Sequence, residues 1–136
     1  MNLDVVAFNP EEHYAEVSAW WTAQNHPVLS LELLPKMGLI VMLDRKLACA
    51  GWVYRTDSAF CWLEWIVANP EVRREERSEC LKALIRTSLY MAKDAGFTAV
   101  HTSVMNESLK SRLLSNGFQV ANTGVTNLVS NLKEVI

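Results

Sequence analysis

No run of lysine and arginine occurs in this sequence, and its formal net charge is only −2. Nucleic-acid binding calls for a basic patch, so no nucleic-acid partner is expected. No stretch approaches the ~18 consecutive apolar residues that a membrane span requires. The opening "MNLDVVAFNPEEH" lacks a basic start, a long apolar segment and a cleavage site, so no membrane partner is expected and the expected location is cytoplasmic. Cysteine is limited to Cys49, Cys61 and Cys80, odd in number and without a CxxC pair. That pattern suits neither a disulfide framework nor a zinc site; each reads as a small hydrophobe. His13, His26 and His101 fall in separate segments without ligand spacing, so no metal is expected. Glycine is missing where a phosphate-holding turn would use it. The stretch "IVANPEVRREERSECLKALI", residues 66 to 85, reads as strand, turn and helix, yet the turn carries arginine and glutamate.

What is present suits a single α/β domain spanning residues 1–136, because half the residues are hydrophobic and the length matches one core. "LDVVAF" (3–8) reads as a strand. Asn9, Pro10 and Glu12 then form a helix-start signature, with Val17, Trp20 and Trp21 as the apolar stripe behind it. "SLELLPKMG" reads as a short second helix. "LIVML" and "LACAGWVY" are strands around an Asp44-Arg45-Lys46 turn, and "AFCWLEWIVA" is a third strand, apolar on both alternations. Residues 73–95 make the longest helix, with Leu81, Leu84, Ile85, Ser88 and Ala92 on one face and Gly96 as its stop. "TAVHTSVM" (98–105) is a strand, parallel to the third because a strand–helix–strand crossover is right-handed. "NESLKSRLLSNGF" is a helix capped by Asn106, and "FQVANTGVTNLVSNL" is a hairpin turning at Asn122-Thr123-Gly124. The expected order is β-α-α-β-β-β-α-β-α-β-β, a mixed sheet with one central parallel pair.

That order, with three sequence pieces, resembles the GNAT superfamily of acetyl-CoA-dependent N-acetyltransferases. "LLPKMGLIVMLDRKLACAGWVY" (33–54) is similar to the family's entry into its strand hairpin. "IVANPEVRREERSECL" (66–81) stands in place of its cofactor signature. "NESLKSRLLSNGF" (106–118) resembles its closing motif, with Asn106 eleven residues before Gly117-Phe118. The likeness spans roughly residues 33 to 132. It implies acetyl-CoA as co-substrate, held where the parallel strands splay apart. The pantetheine arm would lie along Ile66, Val67 and Ala68. The pyrophosphate would meet the N–H groups that start the long helix, where the macrodipole favours an anion. Arg73, Arg74, Arg77, Ser78 and Asn106 are the further cofactor contacts implied. The implied acceptor is a primary amine on a small molecule or peptide, attacking the thioester directly in a ternary complex. An inactivated member that serves as a protein- or ligand-binding module is the alternative, and a homodimer is an open arrangement.

Aligned on Arg73, the signature puts Glu76 and Ser78 where glycines stand in the family. From Glu71 to Glu79 three arginines face four glutamates, for a net charge of −1. Glutamate in a first helical turn is also simply a favourable dipole partner, and Asn69-Pro70 alone can start a helix. Glu64 is the only charge within its strand, where a carboxylate is costly unless paired or functional. It is the candidate general base; an ion pair with Arg55 or Lys46 is the structural alternative. Trp20, Trp21 and Trp62 are candidate walls of an acceptor pocket, whereas Trp52 and Trp65 read as core. The family's thiolate-protonating tyrosine has no counterpart: Leu113 stands at that position, and no tyrosine follows Asn106.

Overall fold

The computed structural model describes residues 1–135. β1 (Leu3–Ala7) leads into α1 (Pro10–Ala23), and a 3₁₀ turn at Leu31–Leu33 follows. β2 (Gly38–Leu43), β3 (Lys46–Tyr54) and β4 (Phe60–Ala68) form an antiparallel meander. α2 (Arg74–Asp94) crosses to β5 (Ala99–His101), and α3 (Glu107–Ser115) and a 3₁₀ turn at Leu132–Glu134 complete the described chain. The five strands lie in sequence order, β1 pairing β2 antiparallel and β4 pairing β5 parallel.

The elements form where local chemistry supports them. The Asn9 side chain accepts from Glu11 N–H, and Pro10 takes the first helical position of α1. The Asn106 side chain caps α3 by accepting from Leu109 N–H. Gly96, at φ +96°, turns the chain out of α2. Helices cover both faces of the sheet. Val17, Trp20 and Trp21 of α1 pack on Ile40 and Trp52, while Cys80, Leu81 and Leu84 of α2 pack on Val41 and Cys49 opposite. All three cysteines are buried thiols.

Three expectations need correction. The second helix is a single 3₁₀ turn: Pro35 restricts the residue before it, and Leu34 is extended at ψ 133°. The strand expected at 98–105 is three residues long instead of eight, because side chains displace the ladder beyond His101. The final hairpin is absent, and residues 119–131 form no strand. Its apolar residues Val125, Leu128, Val129 and Leu132 recur at i, i+3, i+4 and i+7, a helical spacing that cannot keep one face of a strand apolar. All four are exposed, Leu128 at 91% and Val129 at 97%.

Candidate active site

β4 and β5 run side by side only from Phe60↔Ala99 to Trp62↔His101. Past that pair, side chains take over from the backbone ladder. The Thr102 hydroxyl donates to Leu63 O, and Ser103 N–H donates to a carboxylate oxygen of Glu64 at 3.0 Å. The strands part there, with Glu64 at the mouth of the gap. No ion pair joins Glu64 to Arg55 or Lys46; the Ser103 backbone is its partner. Burial pushes the Glu64 pKa up, and the Ser103 hydrogen bonds pull part of the way back.

A bulge directs the rest of β4. The register with β3 shifts between Ala50 and Trp52, and Trp65 sits at φ +64°. A bulky residue in the left-handed region stores roughly 1–3 kcal/mol of strain that its surroundings must hold. Trp65 is 38% exposed and meets Trp21 edge-on at 6.4 Å, so it lies outside the core expected for it. Trp52 is fully buried, as expected.

Backbone direction alternates along a strand, and Asn69 N–H points at Ala48 O of β3 (2.7 Å). Val67 therefore also turns its backbone to β3, as the partner of Ala50, while Ile66 and Ala68 turn theirs away, towards the gap. The Ala68 carbonyl is met there by the side chain of Gln24 at 2.8 Å.

Beyond β4, buried Asn69 fixes the turn. Its amide donates to Leu47 O (2.9 Å), and its side-chain oxygen accepts from Glu71 N–H (2.9 Å). Asn69 thus anchors the loop and does not cap α2. The cap position falls to Arg73, whose side chain makes no capping bond, unlike Asn9 and Asn106. Arg77 N–H is the first donor bonded back within the helix, to Arg73 O (2.7 Å), which leaves the N–H groups of Arg74, Glu75 and Glu76 at an open helix end. Arg73 is held by Glu76 at 2.7 Å, and Arg74 is exposed. Arg77 and Ser78 are half-buried.

A cavity of about 270 Å³ opens between α2 and α3, lined in part by Ser78, Lys82, Ser111 and Arg112. Arg112 donates to Ser78 Oγ at 3.3 Å and to Ser108 on its own helix. Sequence reasoning missed Arg112; the signal available was a lone arginine inside the piece from Asn106 to Phe118. Leu113, the position examined for a thiolate-protonating tyrosine, is buried.

Trp20 and Trp21 are 4% and 2% exposed, so they build the core under α1 and do not join Trp62 in a wall. Trp20 also borders a separate cleft of about 630 Å³ beside Arg45, Lys46 and Glu71. Trp62 instead packs beside Phe60 and His101. The structure thus sets Trp62, Glu64, Ile66 and Ala68 along β4, Arg77 and Ser78 at the start of α2, and Arg112 of α3 against Ser78. Among the described residues no group of His, Cys, Asp and Glu is arranged to hold a metal ion, and no helix is long and apolar enough to cross a membrane.

No protein-family model matches the chain, and no curated protein matches it in sequence. Solved structures do. A probable acetyltransferase superposes with a TM-score of 0.70 at 15% identity, over 96% of this chain and 99% of that one. Ard1 from Thermoplasma volcanium gives 0.74 at 11% identity, over 90% and 86%. N-acetylglutamate synthase from Neisseria gonorrhoeae, complexed with coenzyme A and N-acetyl-glutamate, gives 0.68 at 16% identity, over 90% of this chain but 29% of its own. The fold is that of the GNAT acetyltransferases.

Proposed function

We propose that the chain is a single-domain N-acetyltransferase that moves an acetyl group from acetyl-CoA to a primary amine. The observation that carries this reading is the parting of β4 from β5 beside an uncapped α2, with a partly buried carboxylate at the mouth. Bound acetyl-CoA would supply an activated acetyl group whose C–S bond breaks as the C–N bond to the amine forms.

The residues present fit that ligand. Ile66 offers its backbone groups and Ala68 its N–H to the extended arm, on the side of β4 that β5 has left, while Gln24 holds the Ala68 carbonyl. The open N–H groups of Arg74, Glu75 and Glu76 face an anion with the helix dipole behind them. Arg74, Arg77 and Arg112 add positive charge from two helices, and Ser78 adds a hydroxyl between them. Arg73 contributes less, because Glu76 already neutralises it. Asn106 keeps its oxygen on Leu109 N–H, so only its amide nitrogen is open to a cofactor contact.

Glu64 acts as the general base. A carboxylate held above its ordinary pKa by burial is a better proton acceptor than an exposed one, and it can take the proton from the amine directly or through one water. Tyr54 does not serve as the acid. Its pKa is pushed up to about 12, first by burial and then by the nearby Glu64 charge, and its hydroxyl donates to Leu33 O at 2.9 Å. The leaving thiolate, with a thiol pKa of about 8.5, departs without a tyrosine's help.

The test is calorimetric titration with acetyl-CoA, with desulfo-coenzyme A as the unreactive control, followed by turnover on an amine panel. Absence of binding up to millimolar concentration rejects the reading. Binding without turnover favours an inactive binding module, the reading suggested by Leu113 in the core and by Glu76 on the cofactor loop.

A further inference from the structure

We infer that the acceptor is a primary arylalkylamine, an ammonium group on a flat aromatic body joined by a short tether; this rests on the acetyl-transfer reading above. The inference starts from an uncovered part of the sheet. Register partners share a face, and Trp52↔Glu64 and Tyr54↔Trp62 are partners. Trp52 packs against Trp21 of α1 at 5.7 Å, so Glu64 and Trp62 lie on the α1 side of the sheet. The α1 core takes in Trp52 and Val67, with Tyr54 packed against it, and includes no residue of the first half of β4 or of β5. Residues 119–131 are exposed throughout.

Three rings pave the open area. Phe60 and Trp62 are two apart on β4, and His101 is the register partner of Trp62 on β5. Their centroids lie 4.6 Å (Phe60–His101), 5.0 Å (Trp62–His101) and 5.9 Å (Phe60–Trp62) apart. Phe60 and Trp62 are half-buried and His101 is exposed, so the cluster keeps open ring surface. Sheets rarely leave such a cluster to water, and an aromatic ligand is its natural complement.

Charge selects among aromatic ligands. Glu64 follows Trp62 on the same face, about 7 Å along the strand, the order of a two- or three-carbon tether. Neither lysine nor arginine occurs from Leu47 to Tyr54, from Phe60 to Ala68, or from Ala99 to His101. An ammonium finds the Glu64 carboxylate and ring faces there. A carboxylate on the acceptor is repelled by Glu64. A polyamine needs several anions, yet Glu64 is the only carboxylate in those three stretches.

The experiment measures initial rates at saturating acetyl-CoA with phenethylamine, tryptamine, spermidine and glutamate. It pairs these with calorimetric binding of phenethylamine to the parent, Trp62→Ala and Trp62→Phe. Expected are kcat/KM values for the two arylalkylamines at least tenfold above spermidine and a hundredfold above glutamate. Trp62→Ala should raise KM for phenethylamine about tenfold, Trp62→Phe should restore most of the loss, and acetyl-CoA affinity should stay unchanged. Preference for glutamate or spermidine, or a Trp62→Ala KM equal to the parent's, overturns the inference. If phenethylamine binds in a Trp62-dependent way but nothing is acetylated, the amine site stands and the transfer reading falls. If phenethylamine does not bind at all, the amine site falls.

Discussion

Replacing Glu64 with glutamine separates chemistry from scaffolding. Glutamine keeps an oxygen for Ser103 N–H, now at 3.0 Å, and keeps the side-chain volume, so the gap and the bulge should survive. What disappears is the proton acceptor proposed above. A positioned general base contributes about 10²–10⁴-fold, and at about 1.4 kcal/mol per tenfold that is roughly 3–6 kcal/mol of barrier. The kcat for an amine acceptor should fall by that range, with acetyl-CoA affinity unchanged. Stability should move the other way. Burial raises the Glu64 pKa, so the folded protein binds this proton more tightly than the unfolded chain does. The stability linked to that proton is fully present below the ordinary carboxylate range and is lost as pH rises through the folded pKa. At pH 7 the ionised carboxylate is therefore a burden that glutamine does not carry. The variant's Tm should equal or exceed the parent's at pH 7, and any excess should vanish near pH 4. The parent's rate should climb with pH from above the usual carboxylate range, a limb missing in the variant. A tenfold loss of cofactor affinity, or a lower Tm at pH 7, makes Glu64 a structural peg and refutes the argument; an unchanged kcat places the base elsewhere.

The two helices that face the cavity predict unequal arginines. Arg112→Ala should weaken acetyl-CoA binding about tenfold or more by calorimetry, the scale of a charged hydrogen bond. Arg73→Ala should change it by less than about threefold, because Arg73 is exposed and already paired with Glu76. Glu76→Gly should tighten binding about three- to tenfold by removing a carboxylate from the anion's vicinity, at a cost of about 1 kcal/mol in helix stability read by urea unfolding. At Trp65, φ +64° inverts the usual order of small residues. Trp65→Gly should be more stable than Trp65→Ala by about 1 kcal/mol in urea, whereas at an ordinary strand position alanine is the better residue.

Much of the scaffold was legible because its signals are local. Asn9-Pro10 and Asn106 announce helix starts through side chains within three residues, and the structure uses both caps. The three-stranded meander was equally plain, since Val41, Cys49 and Leu63 sit in apolar runs bounded by polar turns. The site was legible only in part, because its decisive contacts are long-range. Glu64 stood out as a lone charge in an apolar strand, but its partner proved to be a backbone N–H 39 residues away. No pattern in "WLEWIVA" announces that Trp65 takes a left-handed conformation, because the bulge is imposed by the fit of β4 on β3. The tail misled because its turn residues suggested a hairpin, whereas its valines and leucines keep no strand period and residues 119–131 form neither strand nor helix.

The missing glycines acquire a physical meaning from the contrast between helix starts. α1 and α3 each spend an asparagine on their first N–H groups, while the longer α2 leaves its own without a side-chain cap. An uncapped start costs stability unless something else satisfies those donors, and an anion does so with the macrodipole in its favour. A glycine loop would let the backbone wrap the phosphate closely. Here Asn69 pins the turn instead, and the side chain that would most obstruct an anion, Glu76, is drawn to Arg73 at 2.7 Å. Arg112 lines the cavity from α3, and Arg74 and Arg77 carry positive charge at the start of α2. In the function proposed, cations on two helices take over a task that glycines perform through backbone approach. Binding to such a site leans on charge more than on shape, and it should weaken more steeply with added salt than binding to a glycine-lined loop.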